Sequence, residues 1–160
     1  MMLESRILDA NVYYFLVSGY NHGSQDWRNV KVKASYPKTS INLALPTASM
    51  VRQQSSSIDF ELGSIRVDRK DIYDIHLFCS SDSQRDDLGE YTKNLFLDTK
   101  KQFLDFNDGY PPTVGQAVLG RINFEFINMF PLRNDEFLDR AGKHRMNVRI
   151  GAKIIEDLNT

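Results

Sequence analysis

A single cysteine, Cys79, is all the thiol chemistry this chain contains, so no intramolecular disulfide can form and a stapled secreted scaffold is excluded. Cys79 closes an apolar run, where it reads as a small buried hydrophobe. No apolar run approaches the ~20 residues of a membrane span. Glu4, Arg6 and Asp9 stand where a secretory signal needs an apolar centre, and there is no Asn-x-Ser/Thr acceptor. Excess charge is missing too: 20 basic and 21 acidic side chains give a net charge of -1. Residues 1–80 carry 9 of the basic and 8 of the acidic groups, so the balance holds along the chain with no basic arm or tail. That removes the electrostatic case for binding DNA, RNA or an anionic membrane. Together these absences predict a protein made and used in a reducing, soluble compartment.

What is present is ordinary globular composition: 160 residues, 41% hydrophobic and 26% charged, enough to bury a core in one domain spanning 1–160. Leu8, Val12, Phe15 and Leu16 recur at helical spacing and predict a helix from about Glu4 to Val17. The aromatic and β-branched run Val12–Phe15 leaves a strand open as the alternative there. Gly19 to Arg28 is a polar connection. Val30–Ala34 reads as a short strand, and Ile41–Val51 as a longer one that bends or restarts at Pro46, because proline lacks a ladder donor. Arg52–Ser57, with three consecutive serines, reads as a polar loop. Ile58–Leu62 alternates as a half-buried strand does, and Gly63 marks a hairpin corner into Ile65–Asp68 and Asp71–Ser80. In that last run Tyr73, Ile75, Leu77 and Cys79 share one face, while Ile72, Asp74, His76 and Phe78 share the other.

A long helix is expected at about 83–104, with Ser83 as N-cap and Asp86 completing a reciprocal cap. Its apolar stripe is Leu88, Tyr91, Leu95 and Phe96, extended by Phe103 and Leu104, and Asp105–Pro112 is the turn that ends it. Leu119–Pro131 alternates as a strand, Leu132–Lys143 is a loop, and His144–Glu156 is the last strand. The last strand puts Met146, Val148, Ile150, Ala152 and Ile154 on one face and Arg145, Asn147, Arg149 and Lys153 on the other. The fold class predicted is α/β in the α+β sense: one mostly antiparallel sheet with an N-terminal helix and one long helix packed on it.

No catalytic constellation emerges, and no catalytic, cofactor-binding or metal-ligating residue is assigned. His22, His76 and His144 are far apart and none has metal-ligand spacing. Gly115–Gly120 has phosphate-loop glycine spacing but lacks the lysine and Ser/Thr, and it opens a strand where a helix is needed. Asp82, Asp86 and Asp87 sit at a helix N-terminus, where the macrodipole accounts for them. The serines show no nucleophile elbow. Arg145, Arg149 and Lys153 form a polar strand face suited to solvent or a neighbouring subunit.

The order of elements resembles the tail-terminator (tail-completion, or neck) proteins of tailed bacteriophages. The motifs that carry it are Leu45-Pro46 opening a strand, Phe60-Glu61-Leu62-Gly63, and Asp71-Ile72-Tyr73-Asp74-Ile75-His76-Leu77-Phe78 leading into Gln84-Arg85-Asp86-Asp87-Leu88. Asp105-Phe106-Asn107-Asp108-Gly109 follows, then Gly120-Arg121-Ile122 opens the strand that ends Phe130-Pro131-Leu132-Arg133, and Arg145–Ile154 is the final strand. The resemblance spans residues 41–155; residues 1–40, an N-terminal helix and its connection, fit no pattern of that family. It implies a virion protein that caps the tail tube as a homo-oligomeric ring, typically hexameric. Its partners would be the tail-tube protein and head-side neck proteins, and genome DNA would only pass through the lumen. Its place would be the head–tail junction, with the host cytoplasm before assembly; no membrane and no cofactor are implied.

Interface candidates come from loops and strand faces: Trp27 in the first connection, Arg52 and Gln53 in the serine-rich loop, Phe137 and Arg140 in the Leu132–Lys143 loop, and Arg145, Arg149 and Lys153. Three other readings stay open: another head–tail connector (head-closure or tail-assembly), a small metal-dependent enzyme using Asp82, Asp86 and Asp87, and a small-molecule or peptide-binding module.

Overall fold

The computed structural model describes residues 4–35, 44–59, 67–97, 101–107, 117–132 and 144–156. Its first element is helix α1 (Glu4–Asn21). Leu8, Val12 and Leu16 are 0% exposed and Tyr20 is 1% exposed, a stripe at four-residue spacing that only a helix can turn toward one surface. The strand alternative at Val12–Phe15 is therefore not taken up. A single turn, α2 (Gln25–Arg28), leads to a short strand, β1 (Lys31–Lys33).

Strand β2 (Thr47–Asp59) begins immediately after Pro46. The expected loop at Arg52–Ser57 is instead part of this strand, with Gln54 to Ser57 pairing against Ile72 to Arg69 and a bulge between Arg52 and Gln54. The ladder to the next strand satisfies the backbone whatever the side chains are, so polar composition misleads there. The hairpin corner expected at Gly63 lies outside the described residues. Strand β3 (Val67–Cys79) follows, with Tyr73, Ile75, Leu77 and Cys79 all 0% exposed on one face.

Helix α3 (Asp82–Leu97) differs from expectation at both ends. Its N-cap is Ser81 rather than Ser83: the Ser81 hydroxyl accepts from the Gln84 amide at 3.1 Å, while Gln84 Oε1 accepts from the Ser80 amide at 2.8 Å. Asp86 makes no reciprocal cap and accepts from Arg85 Nε at 2.9 Å instead. At the far end, Lys101–Leu104 forms strand β4 where the helix had been expected to continue to 104. Phe103, placed on the helix stripe by periodicity, is buried from the strand, and pairing with the following strand supplies the backbone bonds that a helix would have made. Two long strands complete the chain, β5 (Val118–Leu132) and β6 (His144–Glu156).

The described strands form one six-stranded sheet in the order β1-β2-β3-β6-β5-β4. Only β1 and β2 are parallel; every other pair is antiparallel, so the architecture is α+β. Helices α1 and α3 cover one face of the sheet, and the core there joins Leu8, Val12, Leu16, Leu88 and Phe96 to Tyr73, Ile75, Leu77, Val148 and Ile150. At Gly19 the two helices come close: an added Cβ would lie 2.7 Å from the Leu95 methyls. Polar pins set the helices in place. The Tyr73 hydroxyl donates to Asp9 at 2.6 Å, Tyr20 and Thr92 share a buried 2.6 Å bond, and the Tyr91 hydroxyl donates to the Gly19 carbonyl at 2.6 Å.

Asn11 holds the edge of the sheet. Its side chain, 0% exposed, donates to the Leu104 carbonyl at 2.9 Å and accepts from the Leu104 amide at 2.9 Å, so the helix completes the outward-facing bonds of β4. Asn11→Ala strips a buried donor and acceptor of their partner and is expected to cost about 1–3 kcal/mol. Denaturant unfolding of the variant measures this, and hydrogen exchange at the Leu104 amide is expected to quicken beyond the global change.

Candidate functional site

Two surfaces combine the sequence-predicted residues: the face of the sheet turned away from α1 and α3, where Thr47, Ser49, Phe78 and Asp74 are nonetheless buried, and the strand edges left unpaired among the described residues. The face is built from the alternate side chains of β2, β3, β6 and β5, aligned row by row through the register. One row sets Thr47, Phe78 and Arg145 side by side, the next Ser49, His76, Asn147 and Phe130, and the next Val51, Asp74, Arg149 and Asn128. The face is thus polar and charged across the two central strands. Phe130, at 44% exposed, stands at its rim.

The strongest contact on it is bidentate: Arg149 Nε donates to Asp74 Oδ1 at 2.8 Å and Nη2 to Oδ2 at 2.9 Å. The Asp74 side chain is only 4% exposed while that of Arg149 is 42% exposed, so the carboxylate is sunk in the sheet and the cation reaches outward. Burial alone pushes the Asp74 carboxyl up, but the Arg149 hydrogen bonds and charge, helped by Asn147 and His76, outweigh it and hold it below the ordinary carboxylate value. His76, one row along, is held below the usual imidazole value by burial and by the charges of Arg145 and Arg149, against the opposing pull of Asp74. The Arg145 guanidinium lies over the Phe78 ring at 4.8 Å, and Lys70 pairs with Glu125 at 2.8 Å. Among the described residues, Ser49 Oγ and Asn147 Oδ1 are buried acceptors without a hydrogen-bond partner.

The structure therefore brings Arg145, Arg149 and Lys153 together on one face of β6, as their alternation predicted. Arg52 and Gln53 are exposed on the outer edge of β2. Arg52 lines a cleft of about 280 Å³ with Asp9, Ala10, Tyr13, Ala34 and Met50, just past the end of β1. Trp27 is separate from both surfaces: half-buried, it stacks on Tyr91 at 5.4 Å between ring centres and pins α2 to α3. Phe137 and Arg140 lie outside the described residues. Two members of the Asp82, Asp86 and Asp87 cluster are engaged within the protein: Arg85 bonds Asp82 at 3.1 Å and Asp86 at 2.9 Å, and Asp82 is 2.8 Å from His144 Nδ1. No grouping of three or more His, Cys, Asp or Glu with metal-binding geometry occurs among the described residues. Burial pushes the Cys79 thiol up to about 12, which leaves it protonated and a poor nucleophile. No described helix is long and apolar enough to cross a membrane.

Sequence reasoning placed Asn147 beside Arg145 and Arg149 and set Asp74 beside His76, but it missed that these two sets meet, and it missed Ser49 on the same face and Asp9 and Tyr13 as walls of the cleft. Asp74 and His76 do alternate with core residues in β3. The signal was there, but only the strand register shows that they meet Arg149 and Asn147. No protein-family model matches the chain, and no curated protein matches it.

Two outcomes are expected of the Asp74 pair. Arg149→Ala strands a buried carboxylate and should cost about 2 kcal/mol at neutral pH, whereas Asp74→Asn leaves an arginine free to turn to water and should cost less. The pH dependence has one sign. Because the folded value of His76 is lowered, the unfolded chain takes up that proton first, and stability begins to fall below about pH 6.5. The lowered Asp74 value gives stability that is present above about pH 3.9 and lost as pH falls through the folded value. Thermal melts between pH 7.5 and 5.5 should fall for the native protein and fall less for His76→Gln.

Proposed function

We propose that this chain is a structural virion protein that caps the end of a phage tail tube as a closed ring and joins the tail to the head. The observation that carries the reading is the placement of the open strand edges. Strand β1 pairs with β2 only at Thr47–Ser49, and β4 pairs with β5 only from Val118 to Ile122, which leaves residues 50–59 and 123–132 open on opposite flanks of one sheet among the described residues. Open edges invite misassociation unless something covers them, and a neighbouring copy is one way of covering them. A ring subunit needs two different contact surfaces on opposite sides. Elements β3, α3, β5 and β6 keep the strand–helix–strand–strand order on which the resemblance to tail-terminator proteins rests, with β4 an added strand between α3 and β5. The neutral chain suits a lumen through which DNA passes without being read.

Within this class the runner-up is another head–tail connector, a head-closure or tail-assembly protein, and binding to isolated tail tubes separates the two. The expected outcome is a ring with a central hole in negative-stain images, with light scattering giving a mass several times the 18.5 kDa of one chain, either free or on purified tubes. A protein that stays monomeric in solution and on tubes contradicts the proposal. So does metal-dependent hydrolysis abolished by alanine at Asp82, Asp86 and Asp87.

A further inference from the structure

We infer that the cleft between α1 and β2 binds a free α-amino acid with a medium-sized apolar side chain, its ammonium group held by Asp9 and its carboxylate by Arg52. The site lies on the helix-covered side of the sheet and does not depend on assembly.

The cleft is small and mixed in character. Its volume is about 280 Å³, just under the roughly 300–1,000 Å³ of sites that take drug-sized ligands, so its occupant is the size of a small metabolite. One turn of α1 supplies Asp9, Ala10 and Tyr13, β2 supplies Met50 and Arg52, and Ala34 follows the end of β1. Two of these walls are alanines, which leave room that longer side chains would fill. Met50, 3% exposed, is an unbranched thioether that adapts to whatever lies on it.

The polar part is already set in position. In the β2–β3 register Arg52 stands directly across from Tyr73, and α1 brings Asp9 to both. The Tyr73 hydroxyl, on a residue 0% exposed, donates to Asp9 Oδ1 at 2.6 Å. Burial, and then the Asp9 carboxylate, push the Tyr73 phenol up, so it remains a donor. Asp9 is thus oriented from the sheet by a bond shielded from water. Arg52 Nε lies 3.9 Å from the same oxygen, near enough for attraction and too far for a hydrogen bond. Neither side chain spends its directional bonding on the other. Among the described residues no hydrogen bond engages Asp9 Oδ2 or the terminal nitrogens of Arg52. The two side chains are 34% and 33% exposed, open to a ligand that enters from solvent.

Charge selects the occupant. A ligand with a cation alone is repelled by Arg52, and one with an anion alone is repelled by Asp9. A neutral ligand takes both charged groups partly out of water and gives them no partner. An α-amino acid carries both charges on one carbon, so they face two groups of opposite sign that stand side by side. Its carboxylate accepts from the guanidinium fork and its ammonium donates to the carboxylate oxygen that Tyr73 leaves unused. The side chain on that same carbon then lies against Ala10, Ala34 and Met50. A peptide keeps its two terminal charges at opposite ends of the chain, so only the free amino acid meets both groups at once.

The test is titration of the full-length protein with L-leucine, L-methionine and L-phenylalanine, read by methyl NMR at Ala10, Ala34 and Met50 and by calorimetry. Leucinamide, which lacks the carboxylate, and N-acetyl-leucine, which lacks the ammonium, are the matched controls. The expected result is saturable shifts at those methyls with at least one amino acid, at a Kd of about 1 mM or below, in keeping with so small a ligand. Both blocked forms should bind roughly tenfold or more weakly, the loss of a charge-assisted hydrogen bond. Arg52→Gln changes an exposed side chain and leaves the Asp9–Tyr73 bond in place. It should weaken leucine by a similar factor and leave leucinamide, which has no carboxylate to lose, unchanged. Ala34→Leu, also at an exposed position, fills the cleft without altering a charge and should abolish binding; thermal melts establish that both variants fold. No saturable shift with any of the three amino acids up to about 10 mM overturns the inference. Equal binding of leucinamide or of N-acetyl-leucine overturns it in favour of a simple cation or anion site. Binding that survives both variants places the ligand elsewhere and overturns it as well.

Discussion

Burial of one face of the sheet by two helices is the constraint on which the rest of the molecule depends. The α1 stripe and α3 residues Leu88 and Phe96 require β3 and β6 to present Tyr73, Ile75, Leu77, Val148 and Ile150 on one side without interruption. A one-residue slip in either strand would turn that set outward and bring Asp74 or Arg149 into the core. The hydrophobic face therefore specifies register, and register in turn composes the opposite face. Because the central strands must alternate, their remaining side chains meet each other, and the Asp74–Arg149 pair with its row neighbours is the outcome. The buried polar pins, Tyr73 to Asp9 and Tyr20 to Thr92, fix the orientation of the helices that hydrophobic contact alone leaves loose.

The same arrangement decides where the sheet ends. Helix α1 reaches β4 through Asn11, so each outermost strand is held near one end of the sheet and neither extends far along its neighbour. Among the described residues, the long strands β2 and β5 are left with open edges at diagonally opposite corners. For an isolated globular domain this is a hazard; for a subunit that must touch two neighbours through different surfaces it is what closure demands.

Much of this architecture was legible in the residues. The last strand lies at the bounds its alternation predicts, β3 contains nearly all of the predicted run, and the polar face of β6 follows from the same alternation. What failed did so for tertiary reasons. Phe103 and Leu104 continue the helical stripe of α3 as well as they fit a strand, and only the pairing with β5 and Asn11 decides between them. The run Arg52–Ser57 has loop composition, yet a partner strand satisfies its backbone. Ser81 and Ser83 are both good caps, and the Gln84 side chain folding back onto Ser80 selects the earlier one. Trp27 stood out as an aromatic in a polar connection, and its partner Tyr91 lies on another element that no local pattern links to it. The open edges, which carry the functional proposal, are a property of strand order, and strand order is not written in periodicity.

Amide hydrogen exchange on the assembled protein, compared with a dilute monomer, tests most directly whether these open edges serve assembly. Amides along residues 50–59 and along 123–132 should gain protection together on assembly, while the amides of β3 and β6, already paired on both sides, should change little. An assembled ring in which both edges exchange as freely as in the monomer would contradict a role for them in assembly.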